Sequence, residues 1–158
     1  MRFVLIISLS LFILGTTGLL TDSFLRVGEK RYYVSPVKLN FYSARDLCIQ
    51  NNADLASIES DDEMNALSHY LYLKKYDNET IYAPFWVSYF DEGRSPGSFY
   101  SVKTGRPMVY TAWSIPQPDN KNGIEHCVEL RPVQDAYKMN DESCYKENRA
   151  VCEIINNP

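Results

Sequence analysis

Side chains that carry oxygen donors recur in one stretch of the chain, residues 117–141. They are Gln117, Asp119, Glu125, Asn140 and Asp141. A hard cation such as calcium takes about six to eight oxygen ligands. Three carboxylates, two carboxamides and one backbone carbonyl could supply about six of these and leave about two positions for an outside ligand. The pattern therefore predicts a calcium site, although a solvated polar loop without metal is compatible with the same composition.

Other site chemistries lack the residues that they need. The chain has two histidines, His69 on the polar side of a predicted helix and His126 beside a cysteine. Hydrolysis requires a nucleophile next to a base, and zinc requires clustered Cys and His ligands. Neither arrangement is evident, and the chain has no glycine-rich phosphate loop. The sequence predicts a protein that is not an enzyme.

Composition describes one small globular domain. The chain has 158 residues, of which 45% are hydrophobic and 23% are charged. Its formal net charge is −4. An acidic chain lacks the basic face that phosphate contacts require, so we expect no nucleic-acid partner.

The N-terminus resembles a secretory leader. Arg2 precedes an apolar run from Phe3 to Leu14, and small residues follow up to Gly18. The apolar run is shorter than the roughly 20 residues of a membrane-spanning helix. We therefore predict a signal peptide over 1–18 and a secreted, extracellular protein that does not insert in a membrane. An uncleaved anchor is the less favoured alternative.

Secretion determines how the cysteines and one asparagine are interpreted. In an oxidising compartment the four cysteines should form two disulfides, and three pairings are possible. They are Cys48, Cys127, Cys144 and Cys152. The triplet Asn78-Glu79-Thr80 is an acceptor for N-linked glycosylation in the same compartment.

Two helices are predicted in the first half of the domain. Asn40 can cap a helix whose apolar residues run from Phe41 to Cys48 and which ends near Asn51. Ser60 and Glu63 have the spacing of a capping box. An apolar face of Met64, Leu67 and Leu71 follows. A lead over 19–31 precedes these elements.

Short strands flank and follow the helices. They are predicted over Tyr32–Val34, Phe85–Tyr89, Phe99–Val102, Met108–Tyr110, Cys127–Leu130 and Ala150–Ile154. Since the helices come first and most strands come later, the order predicts an α+β fold.

Five separated segments resemble the C-type lectin-like domain. They are Phe41–Cys48, Asp54–Ile58, Phe85–Ser88, Gln117–Asp119 with Glu125 before Cys127, and Asn140–Asp141 before Cys144. The resemblance covers Tyr33 to Glu153. It implies a C-type lectin-like fold over 32–155, with short antiparallel sheets and a long calcium-binding loop.

The resemblance also implies the disulfide pairing and the ligands. Cys48 should pair with Cys152, and Cys127 should pair with Cys144. In the family, residues at the positions of Gln117, Asp119, Glu125, Asn140 and Asp141 bind calcium and the sugar hydroxyls together, and Pro118 is expected to be cis. A second calcium site at Asp91 and Glu92 is expected to be weak or absent, because the other acids of that site are missing.

Gln117-Pro118-Asp119 is the order that goes with galactose-type sugars in this family. The chain most resembles secreted insect galactose-type C-type lectins, which implies calcium-dependent binding of galactose or N-acetylgalactosamine on glycans. The resemblance also implies a role in microbial recognition in innate immunity. No aromatic residue follows this triplet, and Met139 replaces the usual Trp.

Several alternatives stay open. Tyr89, Tyr110 or Tyr137 could stack on the sugar, although core positions are favoured for them. A calcium-independent module of the same fold that binds a protein or another surface is the alternative function. Single sugars bind weakly, so a homo-oligomer could supply avidity.

Overall fold

The computed structural model describes residues 24–74 and 83–155. The predicted signal peptide, 1–18, and the predicted glycosylation site, Asn78, lie outside these residues.

Both predicted helices are present. Helix α1 spans Phe41–Gln50, and the Asn40 side chain accepts a hydrogen bond from the Ser43 N–H at 2.9 Å. Helix α2 spans Asp61–Lys74, and the Ser60 hydroxyl accepts from the Glu63 N–H at 3.2 Å. The returning bond differs by one residue from the predicted capping box, because Glu63 accepts from the N–H of Glu59 and not of Ser60.

The described residues form eight strands. These are β1 (Leu25–Val27), β2 (Lys30–Val34), β3 (Ala53–Leu55), β4 (Phe85–Phe90), β5 (Tyr100–Ser101), β6 (Cys127–Val133), β7 (Ala136–Glu142) and β8 (Arg149–Ile154). The strand order is β1-β2-β8-β4-β6-β7, with β3 beside β8 and β5 beside β4. All pairs are antiparallel except β4 with β8. The α+β prediction is confirmed.

Several strands differ from the sequence prediction. Residues up to 31, predicted as a lead, contribute β1 and the start of β2, and β3 was not predicted. The strand predicted over Met108–Tyr110 is wrong: among the described residues, pairing there is limited to one bridge, Pro107 with Tyr100, and the next N–H, that of Ser98, is bonded within a turn to Ser95.

Strand β7 was not predicted either, since Lys138 and Asn140 are poor strand formers.

Strand β4 separates two hydrophobic clusters. Phe85, Val87 and Tyr89 enter the cluster around α2, while Trp86 enters the cluster around α1. Alternate residues of a strand point to opposite faces, so burial on both faces fixes the register of this strand. The Trp86 indole also donates to the Leu39 carbonyl at 3.0 Å.

Both disulfides belong to the cluster around α1. Cys48 pairs with Cys152 and Cys127 pairs with Cys144, which confirms the pairing implied by the resemblance. The first closes a sequence separation of 104 and joins α1 to β8. The second closes a separation of 17 and joins the start of β6 to the turn after β7.

No described helix is long and apolar enough to cross a membrane.

The two disulfides should contribute unequally to stability. By loop closure, a Cys48→Ala/Cys152→Ala variant should lose about 4–5 kcal/mol of unfolding free energy, and a Cys127→Ala/Cys144→Ala variant about 3 kcal/mol. Urea unfolding followed by the fluorescence of Trp86 and Trp113 measures both. A smaller loss in the first variant would contradict the assignment of the longer bridge as the main constraint on the unfolded chain.

Candidate metal and ligand site

The long loop between β5 and β6, residues 102–126, is attached to β7 at Met139. The Met139 N–H donates to the Ala112 carbonyl at 2.9 Å, and the Ser114 N–H donates to the Met139 carbonyl at 2.8 Å. The Met139 side chain is fully buried. This residue therefore replaces the expected Trp as a packing anchor and holds the loop immediately before Asn140 and Asp141.

The loop then turns sharply. The Ile115–Pro116 and Gln117–Pro118 peptide bonds are both cis. The expectation for Pro118 is confirmed, and Pro116 is a second cis proline that the sequence did not indicate.

Three of the five predicted ligands are brought together. Oxygen atoms of Asp119, Glu125 and Asp141 lie within 4.8 Å of one another. Asp141 is 1% exposed, Glu125 is half-buried and Asp119 is exposed. Like charges at this distance repel, so the cluster requires positive charge or hydrogen-bond donors beside it.

Backbone N–H groups supply part of that requirement. The N–H groups of Asp119 and Asn120 donate to the two oxygens of Asp141 at 3.1 and 2.7 Å. The Lys121 N–H donates to Glu125 at 3.2 Å. Asn120 adopts a left-handed conformation with φ 41°, which asparagine tolerates better than most residues. The loop thus wraps three successive amides around the carboxylates.

The pKa of Glu125 reflects its burial and the acids beside it. Burial raises the pKa of its carboxyl, and the hydrogen bond from the Lys121 N–H opposes that rise. Glu142, Asp141 and Asp119 raise the pKa further through their like charges. A cation at this position would remove the repulsion.

Gln117 and Asn140 are placed differently. The Gln117 side-chain carbonyl accepts from the Asp119 N–H at 3.0 Å, and the same N–H also donates to Asp141, so Gln117 borders the cluster. Asn140 is 4% exposed, and its side-chain amide is hydrogen-bonded to residues outside the cluster. It donates to Glu129 at 3.0 Å and accepts from Arg131 at 2.9 Å.

Glu129 and Arg131 are therefore neighbours of the site that sequence reasoning missed. Both lie on β6, and Glu129 is directly opposite Asn140 in the ladder. The two oxygens of Glu129 accept from Asn140 and, at 2.7 Å, from Asn148. Burial raises the pKa of Glu129 to about 7, and nearby Lys146 opposes the rise. The signal in the sequence is that Glu129 and Arg131 are the two charged residues of an otherwise apolar strand.

Asp91 and His126 form a second unforeseen contact. Asp91 is 1% exposed, and one of its oxygens lies 2.8 Å from His126 Nδ1. Its other oxygen accepts from the Gly97 N–H at 2.6 Å. Asp91 therefore serves as an internal brace that joins the end of β4 to the residue after Glu125. Glu92, its partner in the expected second metal site, is exposed.

The three tyrosines considered for sugar stacking have structural roles. Tyr89 and Tyr137 are each 3% exposed and lie in the core around α2. The Tyr110 hydroxyl donates to Asp61 at 2.7 Å. Core positions for Tyr89 and Tyr137 are confirmed.

Removing the Asp91 brace should cost stability. Asp91→Ala leaves the Gly97 N–H and the His126 ring without their buried acceptor, and we expect a loss of about 2 kcal/mol in unfolding free energy. Glu92→Ala is the matched control, because this neighbouring acid is exposed and should change stability by less than about 0.5 kcal/mol. Urea titration of both variants measures the difference, and equal losses would contradict the role of Asp91.

Comparison with known proteins agrees with this architecture. The family model of the lectin C-type domain matches residues 37–154. C-type lectin 37Db of Drosophila melanogaster is 35% identical over 130 residues, which cover 82% of this chain and 81% of the relative. Perlucin of Haliotis laevigata is 35% identical over 126 residues, covering 77% and 74%.

A solved structure shows the same fold. The C-type lectin CEL-I of Cucumaria echinata superposes with a TM-score of 0.71 at 23% identity, covering 87% of this chain and 97% of that one. The chain belongs to the C-type lectin domain family, whose members are carbohydrate-binding proteins and not enzymes.

Proposed function

We propose that this protein is a secreted, calcium-dependent lectin that binds the terminal galactose or N-acetylgalactosamine of glycans. The observation that carries the proposal is the cluster of Asp119, Glu125 and Asp141 oxygens within 4.8 Å. Membership of the family supports carbohydrate binding in general. The cluster of three carboxylates is the reason to expect a cation at this site.

The residues fit calcium by the chemistry of their donors. All atoms of the cluster are carboxylate oxygens, the ligands that hard cations prefer. Three negative charges against one divalent cation leave about one negative charge, whereas backbone N–H groups alone leave the repulsion at Glu125 in place. Gln117, with its oxygen at the border of the cluster, is the natural fourth ligand.

Sugar hydroxyls need both hydrogen-bond donors and hydrogen-bond acceptors as partners. When bound, the calcium ion supplies open coordination positions for two neighbouring hydroxyls. Carboxylates of Asp119 and Glu125 accept hydrogen bonds, while the carboxamides of Gln117 and Asn140 can also donate. A hydroxyl that contacts the cation can then accept from an amide and donate to an acid.

Asn140 already has partners on β6. Its oxygen accepts from Arg131 and its amide donates to Glu129. A carboxamide oxygen has two lone pairs, so one remains for a cation while the bond from Arg131 is kept.

The same contacts favour a second candidate. Because Asn140 has hydrogen-bond partners in Glu129 and Arg131, its burial does not by itself call for a metal. A calcium-independent module that binds a protein or another surface is the alternative, and calcium dependence separates the two functions.

The sugar preference rests on Gln117 and Asp119. An amide at 117 followed by an acid at 119 is the order that goes with galactose-type sugars in the family. Residues 120–124 follow in the loop and include no aromatic residue. We therefore assign the preference to the hydrogen-bond polarity of Gln117 and Asp119 and not to ring stacking directly after the triplet.

The remaining proposals concern the mature protein. We propose cleavage of residues 1–18, glycosylation at Asn78 and a homo-oligomer that gathers weak single sites. A clustered glycan target, such as a microbial surface, suits a receptor of this kind.

Calcium dependence is the first test. The mature protein should bind a galactose-bearing glycan array in calcium and lose at least about tenfold of its signal in a chelator, because the cation bridges the sugar. Asp119→Ala and Asn140→Ala should each abolish binding and retain both disulfides. Asp135→Ala, an exposed acid in the β6–β7 turn, is the matched control. Array binding that survives chelation would support the alternative function.

Reversing the polarity of the two loop residues is the second test. A Gln117→Glu/Asp119→Asn double variant should shift array preference from galactose toward mannose, because donor and acceptor exchange places at the two hydroxyls. Competition by methyl α-galactoside and methyl α-mannoside measures the shift. An unchanged ratio with calcium binding intact would place the specificity in other residues.

A further inference from the structure

A separate cavity of about 330 Å³ is lined in part by the loop that carries Glu125. Its lining includes Ile124 and His126, which flank Glu125 in the chain. Successive Cα atoms are about 3.8 Å apart, so the backbone of these lining residues adjoins the backbone of one candidate ligand. Its volume is at the lower end of the range for small-ligand pockets, which is about 300–1,000 Å³.

The cavity lining also includes an exposed aromatic ring. Tyr145 is 73% exposed. Its ring meets the ring of Tyr42, on α1, edge-on with centroids 6.0 Å apart. A single exposed tyrosine needs no explanation by itself, but this one lines a concave site next to the loop that carries the candidate ligands.

The backbone under Tyr145 is held firmly. The preceding Cys144 is joined to Cys127, and its carbonyl accepts from the Phe41 N–H at 2.9 Å. The Lys146 N–H closes the turn by donating to the Ser143 carbonyl at 3.0 Å. A rigid aromatic side chain loses little conformational entropy when it contacts a ligand.

The polar lining favours a neutral ligand rich in hydroxyl groups. Glu92 offers carboxylate oxygens, Ser143 offers a hydroxyl, and His126 offers a ring nitrogen other than the one bonded to Asp91. Glu92 is the one acid in this lining, and its negative charge disfavours an anionic ligand. An apolar platform with a few convergent hydrogen-bonding groups suits one sugar ring.

We propose that this cavity is a second sugar subsite, which holds the residue next to the sugar bound at the carboxylate cluster. Tyr145 and Ile124 contact the ring, and Glu92 with Ser143 bonds its hydroxyls. The inference rests on the proposed function and deepens it: the preferred ligands are disaccharides or longer glycans and not single sugars.

The test compares single and double sugars on the same variants. Isothermal titration in calcium measures Kd for methyl α-galactoside, methyl α-mannoside and a panel of disaccharides that end in galactose or mannose. The best disaccharide should bind wild type about tenfold more tightly than its methyl glycoside, through ring contact and added hydrogen bonds. Tyr145→Ala should reduce that ratio to near one while Kd for the methyl glycoside and for calcium stays unchanged. Tyr145→Phe should keep the ratio.

The matched control is Phe24→Ala. Phe24 is an exposed aromatic residue, 44% exposed, in edge contact with Tyr33, and it lines a different cavity. This variant should retain the wild-type ratio. Sugar binding with a ratio that Tyr145→Ala does not change overturns the subsite alone. Failure of wild type to bind any of these sugars in calcium overturns the proposed function and the subsite together.

Discussion

The candidate site depends on one electrostatic constraint, the confinement of three carboxylates within 4.8 Å. Asp141 belongs to β7, whereas Asp119 and Glu125 belong to the long loop, so the cluster exists only where the loop folds back on the strand. Met139 makes the backbone contacts that hold the loop there. The backbone amides of residues 119–121 then donate hydrogen bonds to Asp141 and Glu125 and lower the cost of the arrangement, while burial and the neighbouring acids raise the pKa of Glu125.

The hydrophobic core holds the first half of the loop in place. Strand β4 fills both hydrophobic clusters, and Met108, Tyr110, Ala112 and Trp113 of the loop pack against the cluster around α2. The Cys48–Cys152 bridge joins α1 to β8, while Cys127, the first residue after the loop, is joined to the turn after β7. The first half of the loop therefore belongs to the packed core, and the candidate ligands of the loop lie in its second half.

The sequence predicted those parts of the molecule that depend on local pattern. The Asn40 cap, the apolar face of α2, the start of β6 and the end of β8 follow from residues a few positions apart. The contacts that it missed join residues distant in the chain. Asp91 meets His126 across 35 residues, and neither position shows a periodic pattern that would reveal the pair. Asn140 could be assigned as a ligand by resemblance, but its bond to Arg131 required the register of β6 and β7.

Charge also bears on the kind of ligand that the proposed site could hold. The chain is acidic overall, with a net charge of −4, and Glu142 acts on Glu125 together with the other acids of the cluster, although Lys146 pairs with Glu142 at 2.5 Å. Bound calcium would offset two of the three negative charges of the cluster and leave about one. A neutral polyol can donate its hydroxyl protons to the acids and accept from the amides, whereas an anionic ligand has no proton to donate to them. The acids that would hold a cation in the proposed function therefore also favour an uncharged sugar.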